Sequence, residues 1–129
     1  MSSAAGFGDQ AHTVGRGRVA EDAAAEWLEA HGYRIVERNH RNDAGELDLV
    51  AEDGDTLCFL EVKARSETLF GPALAAVGPR KRRRVARAAA LYLALRGGST
   101  PPCRFDVLAM ESEAGGWRFT LVKDAFLAT

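Results

Sequence analysis

Apolar positions recur at helical spacing in two stretches of the chain and alternate with polar positions in several others. From about Val14 to His31, Ala20, Ala23, Ala24, Trp27 and Leu28 form an apolar arc at i, i+3, i+4 and i+7 spacing, and Gly32 follows as a C-cap. Tyr33 to Arg38 reads as a short strand with Ile35 and Val36 inside, and Asn39 to Ala44 as a polar, basic connection. Gly45-Glu46-Leu47-Asp48-Leu49-Val50 and Phe59-Leu60-Glu61-Val62-Lys63-Ala64-Arg65 both alternate and read as paired strands. A second helix is predicted from about Arg80 to Leu95, with Val85, Ala88, Ala89, Tyr92 and Leu95 as its buried stripe. Arg104 to Met110 and Trp117 to Val122 are strands joined through Gly115-Gly116, and Ala125-Phe126-Leu127 is a short apolar tail that can close a core. Two segments stand apart: Met1 to about Thr13 reads as a disordered leader, and Ser66 to Pro79 as a loop. The order of helix, strand, hairpin, helix, strand, strand predicts an α/β (α+β) sandwich around a mixed sheet, a single domain over residues 14–129.

The hairpin is where the chemistry collects. Asp53-Gly54 is a two-residue turn signal, so Glu52 is expected to pair with Asp55. That register sets Glu46 opposite Glu61 and Asp48 opposite Phe59, which makes Asp48 and Glu61 diagonal neighbours on one face. Alternation puts Glu46, Asp48 and Val50 on one side of the first strand and Leu47, Leu49 and Ala51 on the other. In the second strand Leu57, Phe59, Glu61 and Lys63 share a face, opposite Cys58, Leu60 and Val62. Two carboxylates about 5 Å apart repel by roughly 3 kcal/mol at an effective dielectric of about 20. Such a site stays wet, raises a carboxyl pKa, or takes up a cation; a hard divalent ion such as Mg²⁺ answers it with oxygen ligands. A solvated polar sheet face has the same pattern.

Composition narrows the classes. The chain has 129 residues and a formal net charge of −1, so it is not a basic nucleic-acid binder as a whole, and any such attraction is local. Cys58 and Cys103 lie far apart in no C-x-x-C pair, and the three histidines show no ligand spacing. No secretory signal pattern and no membrane-length apolar run is present, which makes the cytoplasm the default compartment.

Charge is concentrated in the second helix. Arg80, Arg83, Arg84 and Arg87 lie together beside its apolar stripe, with Lys81 and Arg82 elsewhere in the first turns, and no acidic residue occurs between Ala73 and Arg96. A solubilising face normally mixes signs, whereas an all-cationic one suits phosphate contact. In the first helix Glu21 borders the apolar arc, in line with Ala24 and Leu28. It is either an edge residue that reaches water or a carboxylate pointing into a polar site.

These residues resemble a known family. Ala20-Glu21-x-x-Ala24-x-x-Trp27-Leu28, Arg38-Asn39-x-Arg41, Gly45-Glu46-Leu47-Asp48-Leu49-Val50, Phe59-Leu60-Glu61-Val62-Lys63-x-Arg65, Phe70-Gly71, Lys81-Arg82 and Arg104-Phe105-Asp106-Val107 are similar to the YraN family of small bacterial proteins. The likeness covers nearly everything after Val14. It departs at Ala20, where a glycine is usual, and at His40, where an aromatic is usual. It implies a restriction-endonuclease-like fold, similar in layout to archaeal Holliday junction resolvases. Carried over, it implies that Asp48, Glu61 and the Val62 carbonyl hold Mg²⁺ or Mn²⁺, with Glu21 completing the site from the first helix. Lys63 would orient or deprotonate the attacking water, and Arg65 with Arg80, Arg83, Arg84 and Arg87 would hold the DNA backbone. The expected activity is metal-dependent endonucleolytic cleavage of structured or branched DNA, with a symmetric dimer suited to a junction whose two strands must both be cut. The rival expectations are a nucleic-acid-binding or adaptor module that keeps the fold without turnover, and a plain interaction domain.

Overall fold

A computed structural model of the protein describes residues 11–65 and 78–127, and the side chains of 18–64 and 78–127. Seven elements follow in order: α1 (Ala11–Ala30), β1 (Tyr33–Asn42), β2 (Gly45–Asp53), β3 (Thr56–Arg65), α2 (Pro79–Arg96), β4 (Cys103–Glu113) and β5 (Gly116–Val122). The five strands form one sheet in sequential order; β3 and β4 run parallel and every other neighbouring pair is antiparallel. The parallel pair requires a crossover, and α2 supplies it. This is an α+β, restriction-endonuclease-like architecture. The expected leader and residues 66–77 of the expected loop lie outside the described residues, apart from Ala11–Thr13, which already belong to α1; Pro79, expected to end the loop, opens α2.

The two helices cover opposite faces of the sheet. Ala20, Ala24 and Leu28 of α1 pack on Leu49, Ala51, Cys58, Leu60, Val62, Leu108 and Met110. Val85, Ala88 and Ala89 of α2 pack on Leu47, Val50, Leu57, Phe59, Phe105 and Val107. Burial of small alanines on both helices lets their backbones approach the sheet closely. The tail closes the α2 side: Ala125 and Phe126 are buried, Phe126 stacks on Phe105 at 4.9 Å between ring centroids, and Leu127 is exposed.

Three sequence expectations are corrected. β1 continues through Asn39 to Asn42 and is not a short strand followed by a connection. A bulge between Ile35 and Glu37 turns Val36 outward, because two residues there oppose one on β2. Leu95 is exposed, since the α2 stripe runs past Ala89 onto Tyr92 and Leu93 instead.

Candidate functional site

The geometry of the site is set by the β2–β3 turn. The strands close around Gly54-Asp55, with Asp53 paired to Thr56, and not around Asp53-Gly54. Gly54 takes φ 63° at the first central position, the glycine placement of a type II′ turn, which explains the shift. Phe59 therefore faces Val50 rather than Asp48, and the ladder ends at Leu49 with Leu60. Beyond that last pair β2 and β3 part. The Val62 N–H, which would otherwise look for a β2 carbonyl, donates to Asp48 Oδ2 at 2.9 Å. Because strand N–H groups lie in the plane of the sheet, the Asp48 carboxylate sits in that plane, inside the gap. The Val62 carbonyl projects from the same strand edge toward the same gap.

Alternation also breaks at Asp48. Leu47 and Val50 belong to the α2-side core, while Leu49 and Ala51 belong to the α1-side core, so Leu47 and Leu49 do not share a face as expected. Across the β1–β2 ladder, the pairs Arg38 with Leu49 and His40 with Leu47 flank Asn39, whose φ is 54°. A left-handed asparagine in a strand is a local distortion that asparagine tolerates better than most residues. It coincides with the point where β2 switches sides.

The switch leaves Asp48 between two layers. On the α1 side, Glu21, Arg38, Asn39, Asp48, Leu49 and Val62 line a small cleft of about 10 Å³, roughly the room that one water needs. Glu21 Oε1 accepts a hydrogen bond from Asn39 Nδ2 at 3.1 Å and lies 3.7 Å from Arg38 Nη2. On the α2 side, Glu61 is buried at 1 % exposure, and Lys81 from the first turn of α2 brings its Nζ to 3.2 Å from Glu61 Oε1. Lys63 lies on the Glu61 side of β3 by alternation, close enough for its charge to lower the Asp48 pKa. The structure thus gathers Asp48, Glu61, Val62 and Lys63 around the end of the ladder. It sets Glu21 in the cleft with Asp48, on the face opposite Glu61. Arg80, Arg83, Arg84 and Arg87 are all exposed along α2, and the Arg65 side chain lies outside the described residues.

Electrostatics single out Glu61. Burial, then the neighbouring Asp48, push its carboxyl up to about 8, with Lys81 opposing. Burial also raises Asp48; the Val62 N–H, Lys81 and Lys63 pull the other way. Among the described residues neither Glu61 oxygen accepts a well-formed hydrogen bond; the Lys81 ammonium, 3.2 Å away, is its cationic partner and draws the Glu61 pKa down against burial. The other buried carboxylate is the opposite case. Asp106, at 0 % exposure, accepts from Tyr33 Oη, from Arg104 Nε and Nη2, and from the Asp124 backbone N–H, at 2.8–2.9 Å. Arg104 also reaches Asp53 Oδ2 at 2.8 Å, and burial with the Asp106 contact raises the Tyr33 phenol. A fully satisfied buried carboxylate holds structure together; one without well-formed hydrogen bonds beside a second carboxylate is the signature of a site built for something else. Among the described residues no group of three or more His, Cys, Asp or Glu side chains is gathered to hold a metal ion. The donors at the ladder end are therefore two carboxylates and a main-chain carbonyl.

Lys81 is the site residue that sequence reasoning placed wrongly, among cations off the stripe. The signal was present: Lys81 stands at i with Val85 at i+4 and Ala88 at i+7, a cation on the buried stripe itself.

The model of an uncharacterised protein family, UPF0102, matches residues 20–110, which span the second half of α1, β1, the hairpin, α2 and most of β4. The chain belongs to this family. UPF0102 is the YraN family whose motifs the sequence resembles. A UPF0102 protein of Symbiobacterium thermophilum is 50 % identical over 113 residues, 87 % of this chain and 96 % of that one. Another from Dechloromonas aromatica is 46 % identical over 116 residues, covering 90 % and 92 % of the two chains. A third, from Moorella thermoacetica, is 48 % identical over 95 residues, 74 % and 79 % of the chains. In this UPF0102 chain Glu21, Asp48, Glu61, Val62, Lys63, Lys81 and Asp106 all fall within the matched span. Among the described residues no helix is long and apolar enough to cross a membrane.

Proposed function

We propose that this protein is a metal-dependent DNA endonuclease that hydrolyses phosphodiester bonds in structured or branched DNA. The observation that carries the proposal is Glu61: a buried carboxylate beside Asp48, at the point where two strands part, which among the described residues has the Lys81 ammonium at 3.2 Å and no well-formed hydrogen bond. Acceptors of this kind fit a hard cation. Asp48, Glu61 and the Val62 carbonyl would hold Mg²⁺ or Mn²⁺. When bound, the ion would supply positive charge to polarise the scissile phosphate and activate water.

The protein's own groups do the rest. Asp48 is pinned by the Val62 N–H, so its second oxygen has a fixed direction in the sheet gap. Lys63, on the strand that carries Glu61, orients the attacking water and offsets charge on the phosphate. Glu21, held by Asn39 and beside Arg38, lines the α1-side cleft with Asp48 on the face opposite Glu61, and so stands outside the pair that would hold the ion. Hydrolysis forms one P–O bond to water and breaks one P–O ester bond; the water's proton is lost to solvent and the leaving oxygen regains one from it. The exposed Arg80, Arg83, Arg84 and Arg87, with Arg65, position the backbone and read little sequence. A symmetric dimer suits a branched substrate, and the cytoplasm is the compartment that offers it.

Cleavage of labelled duplex, flap and four-way-junction DNA with Mg²⁺ or Mn²⁺ tests this. Wild type should cut at least one substrate, and Asp48→Ala and Lys63→Ala should lose most of that activity. Equal cutting by both variants removes the site. A second function, a nucleic-acid-binding or adaptor module without turnover, is favoured by the lack of a three-carboxylate cluster among the described residues. Salt-sensitive DNA binding with no cleavage under any divalent ion identifies it.

A further inference from the structure

The way Lys81 approaches Glu61 differs from the way Arg104 approaches the other buried carboxylate. Arg104 holds Asp106 by directed hydrogen bonds, Nε to Oδ1 at 2.8 Å and Nη2 to Oδ2 at 2.9 Å. Lys81 comes within 3.2 Å of Glu61 Oε1, yet neither Glu61 oxygen accepts a well-formed hydrogen bond among the described residues. A permanent buried ion pair needs such bonds to offset its desolvation. Lys81 also has somewhere else to go. Its side chain is 34 % exposed and it stands in the first turn of α2; burial and the nearby Arg84 oppose its ammonium, and Glu61 with Asp48 outweigh them and hold it in place. Arg80 and Arg84 are both exposed on the outer side of the same turns.

Resting on the nuclease proposal above, we infer that Lys81 is a tethered placeholder cation that neutralises Glu61 in the metal-free protein, yields it to a divalent ion, and swings out to a DNA backbone phosphate beside Arg80 and Arg84. The exchange follows from charge. A divalent ion on the Glu61 carboxylate would stand next to the ammonium, and the repulsion between them is twice that of two unit charges at the same distance. The flexible four-carbon stem of a lysine permits the move, which an arginine fork held on two oxygens would resist. Phosphate at the helix start would then replace Glu61 as the counter-charge. Metal and DNA binding become linked through one side chain, and each should strengthen the other.

Mn²⁺ alone is the probe, titrated by calorimetry into the full chain. Lys81→Gln should bind Mn²⁺ about tenfold more tightly than wild type, a coupling of ordinary size. Lys81→Arg, whose fork can hold both Glu61 oxygens, should bind Mn²⁺ more weakly than wild type, and Glu61→Gln should lose most affinity. A second readout separates the handover from general electrostatics. With a hydrolysis-resistant phosphorothioate duplex, the salt dependence of wild type and Lys81→Gln should coincide in chelator and differ by about one phosphate contact in Mn²⁺. Lys81→Met, which keeps the aliphatic stem, serves if the glutamine variant does not fold; collapse of both marks the pair as structural and overturns the inference. Mn²⁺ binding that Glu61→Gln abolishes but Lys81→Gln leaves equal or weaker overturns the placeholder and keeps the metal seat. Absence of Mn²⁺ binding in wild type and Lys81→Gln alike overturns both.

Discussion

Replacing Glu61 by glutamine should remove a pH dependence of stability that the buried carboxyl imposes. Glutamine keeps the shape and takes away the titration. Burial raises the Glu61 carboxyl from its ordinary value of 4.5 to about 8 in the folded protein. Between those two values the folded state binds more protons than the unfolded state, so stability falls as pH rises across that window. The penalty is absent below the lower value and complete above the upper one. One proton is worth about 1.4 kcal/mol per pH unit, so from about pH 5 to about pH 7 wild type should lose roughly 2–3 kcal/mol relative to the variant. Asp48, also raised by burial, broadens the transition without changing its sign. Urea unfolding of both proteins in chelator at several pH values between these limits measures the difference. Stability curves that stay parallel would refute the claim that burial and Asp48 outweigh Lys81 in setting the Glu61 carboxyl. In excess Mn²⁺ the trend should reverse for wild type, because ligand binding to the ionised form stabilises most where protons compete least.

Other consequences follow from the same structure. Asp106→Ala should cost about 3–5 kcal/mol in urea unfolding, since it strands Arg104 and Tyr33 in the buried network. Replacing Arg80, Arg84 and Arg87 by glutamine should weaken DNA binding and lower the slope of log affinity against log salt by about 0.9 for each phosphate that is no longer neutralised, read by fluorescence anisotropy. Asn39→Ala should destabilise by roughly 1–3 kcal/mol, because it combines a left-handed backbone with removal of the Glu21 hydrogen bond. Asn39→Gly should recover the backbone part of that cost and not the hydrogen-bond part, and thermal melts of the two variants separate the contributions.

Period and turn chemistry made much of the architecture legible. The helical arcs of Ala20, Ala24 and Leu28 and of Val85, Ala88 and Ala89 are the faces that pack on the sheet. Strict alternation in β3 separated Phe59 and Glu61 from Leu60 and Val62 correctly. What pattern could not deliver were the places where the backbone departs from regularity. The bulge at Val36, the left-handed Asn39 and the switch of sides at Asp48 have no marker in a two-residue period, and together they lengthen β1 and move Asp48 into the sheet plane. The turn failed for a related reason: Asp-Gly and Gly-Asp overlap in Asp53-Gly54-Asp55, and only the backbone decides which pair forms the loop. Glu21 was readable as a carboxylate beside a polar gap, but not as belonging to the face opposite Glu61. Lys81 was readable from its place on the apolar stripe, yet the surrounding arginines masked it as one more surface cation.

If Asp48 and Glu61 form a seat for a divalent cation at the end of the β2–β3 ladder, the ion itself should be visible there. Crystals soaked in Mn²⁺ and measured at the manganese edge decide the matter. An anomalous peak bounded by the two carboxylates and the Val62 carbonyl, with Lys81 withdrawn from Glu61, is the expected result. A Mn²⁺-saturated crystal with no peak there, and Lys81 still against Glu61, would contradict it.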